Sequence, residues 1–181
     1  MKAKLPYLAL SLVVLVLDQW TKWLVEDRLA LYEVFPVIPD LLNMTHVQNT
    51  GVAFGMMASH GDARGTYMLI GLGLVALAFV GLYFHWTPAS DRMLLTALGL
   101  VVGGAVGNLI DRIHQGSVTD FIDFYYGTYH WHTFNVADTA ISIGIGLMLL
   151  SSFTAPPEAP PEPQDAPTDA AEASSSAEAG A

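Results

Sequence analysis

Apolar residues along the chain fall into four runs of about 20, the length a helix needs to cross the hydrocarbon core of a bilayer. They cover Leu5–Leu24, Tyr67–Trp86, Met93–Ile110 and Phe134–Phe153. The second and third runs carry no charge, the first is interrupted by Asp18 and Lys22, and the fourth by Asp138 alone. Four spans place both termini on one side of the membrane. Between the first two runs, the segment EVFPVIPDLLNMTHVQNTGVAFG mixes β-branched and aromatic residues around the turn-like Asn49-Thr50-Gly51. This pattern predicts short strands, with one helical turn, resting on the membrane surface. The predicted architecture is an all-α membrane protein. It has four transmembrane helices and a small strand-rich subdomain at about residues 28–62, between helices 1 and 2, on the side away from the termini.

Composition supports a membrane class. Of 181 residues, 52 % are apolar and 13 % charged, and the mean hydropathy is +0.43, too apolar for an ordinary soluble domain of this size. Lys2 and Lys4 before Leu5–Leu17 resemble the start of a cleaved signal peptide. No small-x-small site follows, and the run continues into DQWTKWLVED, so the segment is expected to stay as the first span. The net charge of −10 lies mostly in residues 155–181, which hold six acids and no base, leaving 11 acids and 7 bases in residues 1–154. That Ala-, Pro- and Glu-rich segment reads as a disordered, solvated tail. Nucleic acid is not an expected partner. The chain has no cysteine, which removes disulfides, thiolate metal sites and a cysteine nucleophile together.

Orientation depends on which cations count. Lys2, Lys4 and Arg92 lie on the side of the termini, and Lys22, Arg28, Arg64 and Arg112 on the other. With Lys22 and Arg112 set aside as site residues, the balance and the usual dominance of the first helix favour cytoplasmic termini.

Polar residues inside a span are costly and mark function more often than they do in water. Asp18 and Lys22 form an i, i+4 pair near the far end of the first span. Asn108, Asp111 and Arg112 end the third, Asp138 opens the fourth, and Asp120 precedes it in what reads as a loop. An up-down-up-down arrangement brings all of these to one side. Gly99, Gly103 and Gly107, with Gly104 beside them, have the spacing of a close helix contact, which draws Asn108 and Arg112 toward the other spans.

Two carboxylates at short range share a proton, one acting as base for water and the other as acid for a leaving amine. Such aspartyl-protease chemistry needs no metal and no other cofactor. Each residue also has a plainer role. Asn135 and Asp138 have the spacing of a capping box, Asp18 and Lys22 that of an intrahelical ion pair, and Asp111 and Asp123 that of solvated charges. His130 and His132 form an HxH without a third ligand at recognisable spacing. A proton-relay transporter would spread polar residues through the membrane depth, and a scaffold would explain the glycines but not the aspartates.

The stretches LDQWTKWLV (17–25), QNTGVAFG (48–55), GGAVGNLIDRI (103–113), VTDFIDF (118–124) and FNVADTAI (134–141) resemble the lipoprotein signal peptidase (signal peptidase II) family, over about residues 5–153. The resemblance implies a four-helix aspartic endopeptidase of the bacterial inner membrane. Such an enzyme removes the signal peptide from diacylglyceryl-modified prolipoproteins, cutting before the lipidated cysteine, with membrane lipid as its other partner and its active site near the extracytoplasmic face. The implied catalytic pair is Asp120 and Asp138. Implied supporting residues are Asp18, Lys22, Asn49, Gly51, Gly104, Asn108, Asp111, Arg112, Asn135 and Ala137. Asn49 and Arg112 suit the substrate backbone, Asn108 and Asn135 suit orientation of the pair, and Asp18–Lys22 suits bracing from the first helix. The aromatic stretch Phe124–Trp131 suits the headgroup level or a cover over the site. The peptidase domain is expected at 1–154, and the tail at 155–181 lies outside the resemblance.

Overall fold

The computed structural model describes residues 2–51 and 63–154. The expected tail at 155–181 and the end of the QNTGVAFG stretch lie outside the described residues. Four helices carry the fold: α1 (Leu5–Arg28), α2 (Ala63–Trp86), α3 (Arg92–Gln115) and α4 (Val136–Thr154). Each is long and apolar enough to cross a membrane. The helices of 24 residues are about 36 Å long at 1.5 Å per residue, beyond the roughly 30 Å hydrocarbon core, so polar ends extend past the apolar runs. That is why α1 and α3 continue to Arg28 and Gln115 rather than stopping near 24 and 110.

Local signals set several helix ends. The Asp91 side chain accepts a hydrogen bond from Leu94 N at 3.0 Å and caps α3, satisfying one of the free donors of the first turn. Gly116, at φ 79°, closes it in the left-handed conformation. Helix α3 touches all three other helices and supplies the fully buried apolar side chains Leu95 and Leu98. Large side chains such as Leu12, Trp20, Leu72, Phe79 and Ile143 point outward, as lipid-facing positions do, because lipid tails are as apolar as the core.

Glycines set the helix spacing. A Cβ at Gly103 would stand 2.6 Å from Ser11 O in α1, and one at Gly104 2.5 Å from Ala137 O in α4. Neighbouring residues on α3 therefore seat two different helices.

The sheet departs from expectation in two ways. Its strands are β1 (Val34–Ile38), β2 (Leu42–Asn49), β3 (Val118–Tyr126) and β4 (Tyr129–His130), antiparallel in the order β1-β2-β3-β4. Half of it thus comes from the segment between α3 and α4, and the strands are not confined to the region between helices 1 and 2. Asp120 lies inside β3, opposite Val47, and not in a loop. The alternation that hides this strand is weak because β3 is buried on both faces from Val118 to Phe121, and such strands read as continuous apolar runs. The expected helical turn is absent from the described part of the α1–α2 connection, 29–51. The register between β2 and β3 shifts between Met44 and Val47, a bulge beside Asp120 of the kind that re-aims side chains.

Candidate active site

Asp120 and Asp138 are joined through Asn135. The amide of Asn135, wholly buried, donates from Nδ2 to Asp120 Oδ1 at 2.7 Å, and its Oδ1 accepts the backbone N–H of Asp138 at 2.9 Å. Asn135 N also donates to Asp138 Oδ2 at 3.3 Å. The capping box anticipated from the spacing therefore exists, and the same residue that caps α4 holds the second carboxylate. The capping role and the site role belong together.

Each carboxylate has a further partner. Asn49, the last residue of β2, donates from Nδ2 to Asp120 Oδ2 at 3.0 Å, and its own Oδ1 accepts Gly51 N at 2.9 Å. Gly51 sits at φ 77°, where a side chain is strained, and its missing Cβ leaves room for Leu69. Asn108 donates from Nδ2 to Asp138 Oδ1 at 2.8 Å. Asp120 is almost fully buried, and loss of water pushes its pKa up from 3.8 to about 6, with the nearby Asp138 charge adding to the rise. Hydrogen bonds from Asn49 and Asn135 and the charge of Lys22 pull the other way.

Beneath the pair lies a buried ionic layer. Lys22 Nζ contacts Asp18 Oδ2 at 2.8 Å and Asp111 Oδ2 at 2.7 Å as ion pairs and donates to Asn108 Oδ1 at 2.9 Å. Asp18 Oδ1 in turn accepts Ala137 N at 2.8 Å, so a side chain of α1 caps the start of α4. Asp111 is buried and paired, not a solvated helix end. Gly107 leaves the space that the Asp18 carboxylate fills. Arg112 donates from Nη1 to Asn108 O at 3.2 Å, and its buried Nε has no hydrogen-bond partner among the described residues.

Asp123 is also not a solvated charge. It is buried on the opposite face of β3 from Asp120, where Asn43 Nδ2 contacts Oδ2 at 3.0 Å and His130 Nδ1 contacts Oδ1 at 2.9 Å. His130 is engaged by this carboxylate and stacks on Tyr125. Among the described residues no three or more His, Cys, Asp or Glu side chains are grouped to hold a metal ion. The sequence did not single out Gln19, whose Nε2 reaches Asp111 Oδ1 at 2.7 Å. Its only signal is its place beside Asp18. Tyr126, Tyr129 and Trp131 of the aromatic stretch are strongly exposed.

Residues 10–154 match the family described as Signal peptidase (SPase) II. The chain belongs to that family. Relatives named lipoprotein signal peptidase include one from Desulforapulum autotrophicum, 48 % identical over 136 residues, 75 % of this chain and 83 % of the relative. Another, from Symbiobacterium thermophilum, is 41 % identical over 143 residues, 79 % and 91 % of the two chains. A solved bacterial membrane enzyme, determined by the in meso method at 1.9 Å resolution, superposes with a TM-score of 0.68 at 30 % identity, over 83 % of this chain and 94 % of that one. As a signal peptidase II family member, the chain is a membrane protease with four candidate spans and a small antiparallel sheet.

Proposed function

We propose that this protein is an aspartic endopeptidase that removes the signal peptide from diacylglyceryl-modified prolipoproteins, cutting before the lipidated cysteine. The observation that carries the reading is the buried Asn135 bridge between Asp120 and Asp138. It ties both aspartates to one amide, with Asn108 and Asn49 bonded to their outer oxygens, which supports a reading in which the two carboxylates act on one scissile bond.

In the active state the pair holds one proton on the Asp120 side, where burial favours the neutral form at pH up to about 6. Asp138 accepts a proton from water as the water oxygen bonds to the scissile carbonyl carbon. The carbon–nitrogen bond then breaks, and Asp120 delivers its proton to the departing amino group of the lipidated cysteine. The carboxylate product stays on the signal peptide. Asn49 and Arg112, whose Nε has no partner among the described residues, hold the extended substrate by its carbonyls, while Asn135 and Asn108 orient the carboxylates. Asp18, Lys22, Asp111, Gly104 and Ala137 keep the helix ends together.

The site belongs at the extracytoplasmic boundary of the bacterial inner membrane, with both termini cytoplasmic and the sheet on the site's side. A substrate anchored by acyl chains presents its scissile bond at that depth. The peptidase unit is 1–154, and the acidic extension 155–181 lies outside it. A polar transport path is disfavoured, because the ionic layer occupies one end of the helices and the opposite halves of the spans are apolar. The test is turnover of a diacylglyceryl-modified lipopeptide by purified protein. Asp120→Asn and Asp138→Asn should each lose cleavage while still binding the lipopeptide, and activity retained in either removes that residue from the catalytic pair.

A further inference from the structure

Asp18 and Lys22 are two rungs of a longer stripe. Glu26 follows at the same four-residue interval on α1, so the three carboxylate and ammonium groups line one helix face over two turns. Each rung reaches a different element of the site. Asp18 meets the start of α4 at Ala137 N, and Lys22 meets α3 at Asn108 and Asp111. Glu26 meets β3, where its Oε1 accepts the Thr119 hydroxyl at 2.5 Å.

Thr119 is fully buried and immediately precedes Asp120. Successive residues of a strand face opposite ways, so its hydroxyl points away from the carboxylate pair, toward the ends of α1 and α3. There Gln115 Nε2 donates to the same hydroxyl at 2.9 Å and lies 3.5 Å from Glu26 Oε1. The backbone carbonyl of Thr119 accepts Asn135 Nδ2 at 3.3 Å, and Asn135 is the residue that bridges the two aspartates. Thr119 is therefore tied on one side to the pair's bridge and on the other to α1 and α3.

We propose that Glu26, with Gln115, is a positioning residue that acts through the Thr119 hydroxyl to hold Asp120 opposite Asp138. On this view α1 is a ruler, with its Asp18 rung fixing the α4 carboxylate and its Glu26 rung fixing the β3 carboxylate. The function ascribed to Glu26 needs an acceptor, not a charge, since the hydroxyl only has to donate to it. The proposal rests on the peptidase reading above.

The experiment compares wild type, Glu26→Ala, Glu26→Gln, Thr119→Val and the Glu26→Ala/Thr119→Val double variant on a diacylglyceryl-modified lipopeptide. Asp120→Asn in the same assay tests the peptidase reading separately. Glu26→Ala and Thr119→Val should each lower kcat about tenfold with KM within about twofold, as small misplacements of reacting groups do. The double variant should fall no further than either single one, and Glu26→Gln should recover most of the wild-type kcat. Wild-type kcat in both single variants, losses that multiply in the double variant, or a Glu26→Gln as slow as Glu26→Ala overturns the proposal. Hydrogen exchange reads the same tie without turnover. Amides of residues 118–121 should exchange faster in Glu26→Ala and Thr119→Val while those of 122–126 do not, and unchanged exchange at 118–121 contradicts it.

Discussion

Asp120 is buried at the cost of its charge. Its raised pKa, about 6 against the usual 3.8, means that the folded protein binds more protons than the unfolded chain between those values. The contribution of this group to stability is then greatest below pH 3.8 and is lost as pH rises through 6. Asp120→Asn, which keeps the shape and discards the buried charge, should unfold at a temperature no lower than wild type at pH 7, as thermal unfolding in detergent can check. In active protein kcat/KM should decline as pH rises through about 6, where the free enzyme loses the Asp120 proton. A flat kcat/KM profile between pH 5 and 8 would speak against Asp120 as the proton donor. Lys22 makes the opposite case. Lys22→Met leaves Asp18 and Asp111 buried without their cation and should cost about 3–5 kcal/mol, measured by chemical denaturation. At this scale the sequence was readable where chemistry and cost coincide, as at Asp18, Lys22 and Asp138, where charges interrupt apolar runs. It misled at Asp123, whose partner His130 is known only once the strands meet.

Among the elements, α3 was the most legible and β3 the least. Glycines at 99, 103 and 107 announce a close helix contact because four-residue spacing keeps them on one face. The role of Gly104, a seat for α4 and not for α1, emerges only from the packed helices. Gly104→Val places side-chain atoms where the carbonyl of Ala137 lies and should destabilise by about 1–3 kcal/mol. Because Ala137 precedes Asp138, kcat should fall with stability, and a Gly104→Val protein of wild-type melting temperature and rate would contradict the seat. For β3 the signal failed for a physical reason. A strand covered on both sides loses the alternation by which strands are recognised, and its partner β2 lies about 70 residues earlier, as the Val47–Asp120 pairing shows. Half the sheet was therefore invisible to any local pattern.

For the whole molecule, the spans were plain from apolar length alone, whereas their orientation rested on a few cations, two of which sit in the ionic layer. The absence of cysteine offers a direct test, since a single introduced thiol is the only one in the chain. In intact cells a membrane-impermeant maleimide should label Thr128→Cys, in the turn between β3 and β4, and spare Ser90→Cys, between α2 and α3. The reverse pattern would put the ionic layer on the cytoplasmic side. Four helices, a sheet drawn from two connections and one buried polar layer together bring Asp120 and Asp138 onto one Asn135 bridge, and the central claim is that these two cut a peptide bond at the membrane boundary. The most direct measurement is cleavage of a diacylglyceryl-modified prolipoprotein by purified wild type, Asp120→Asn and Asp138→Asn, with product identified by mass. The account predicts cleavage before the lipidated cysteine by wild type alone; cleavage by either variant, or none by folded wild type in lipid, would contradict it.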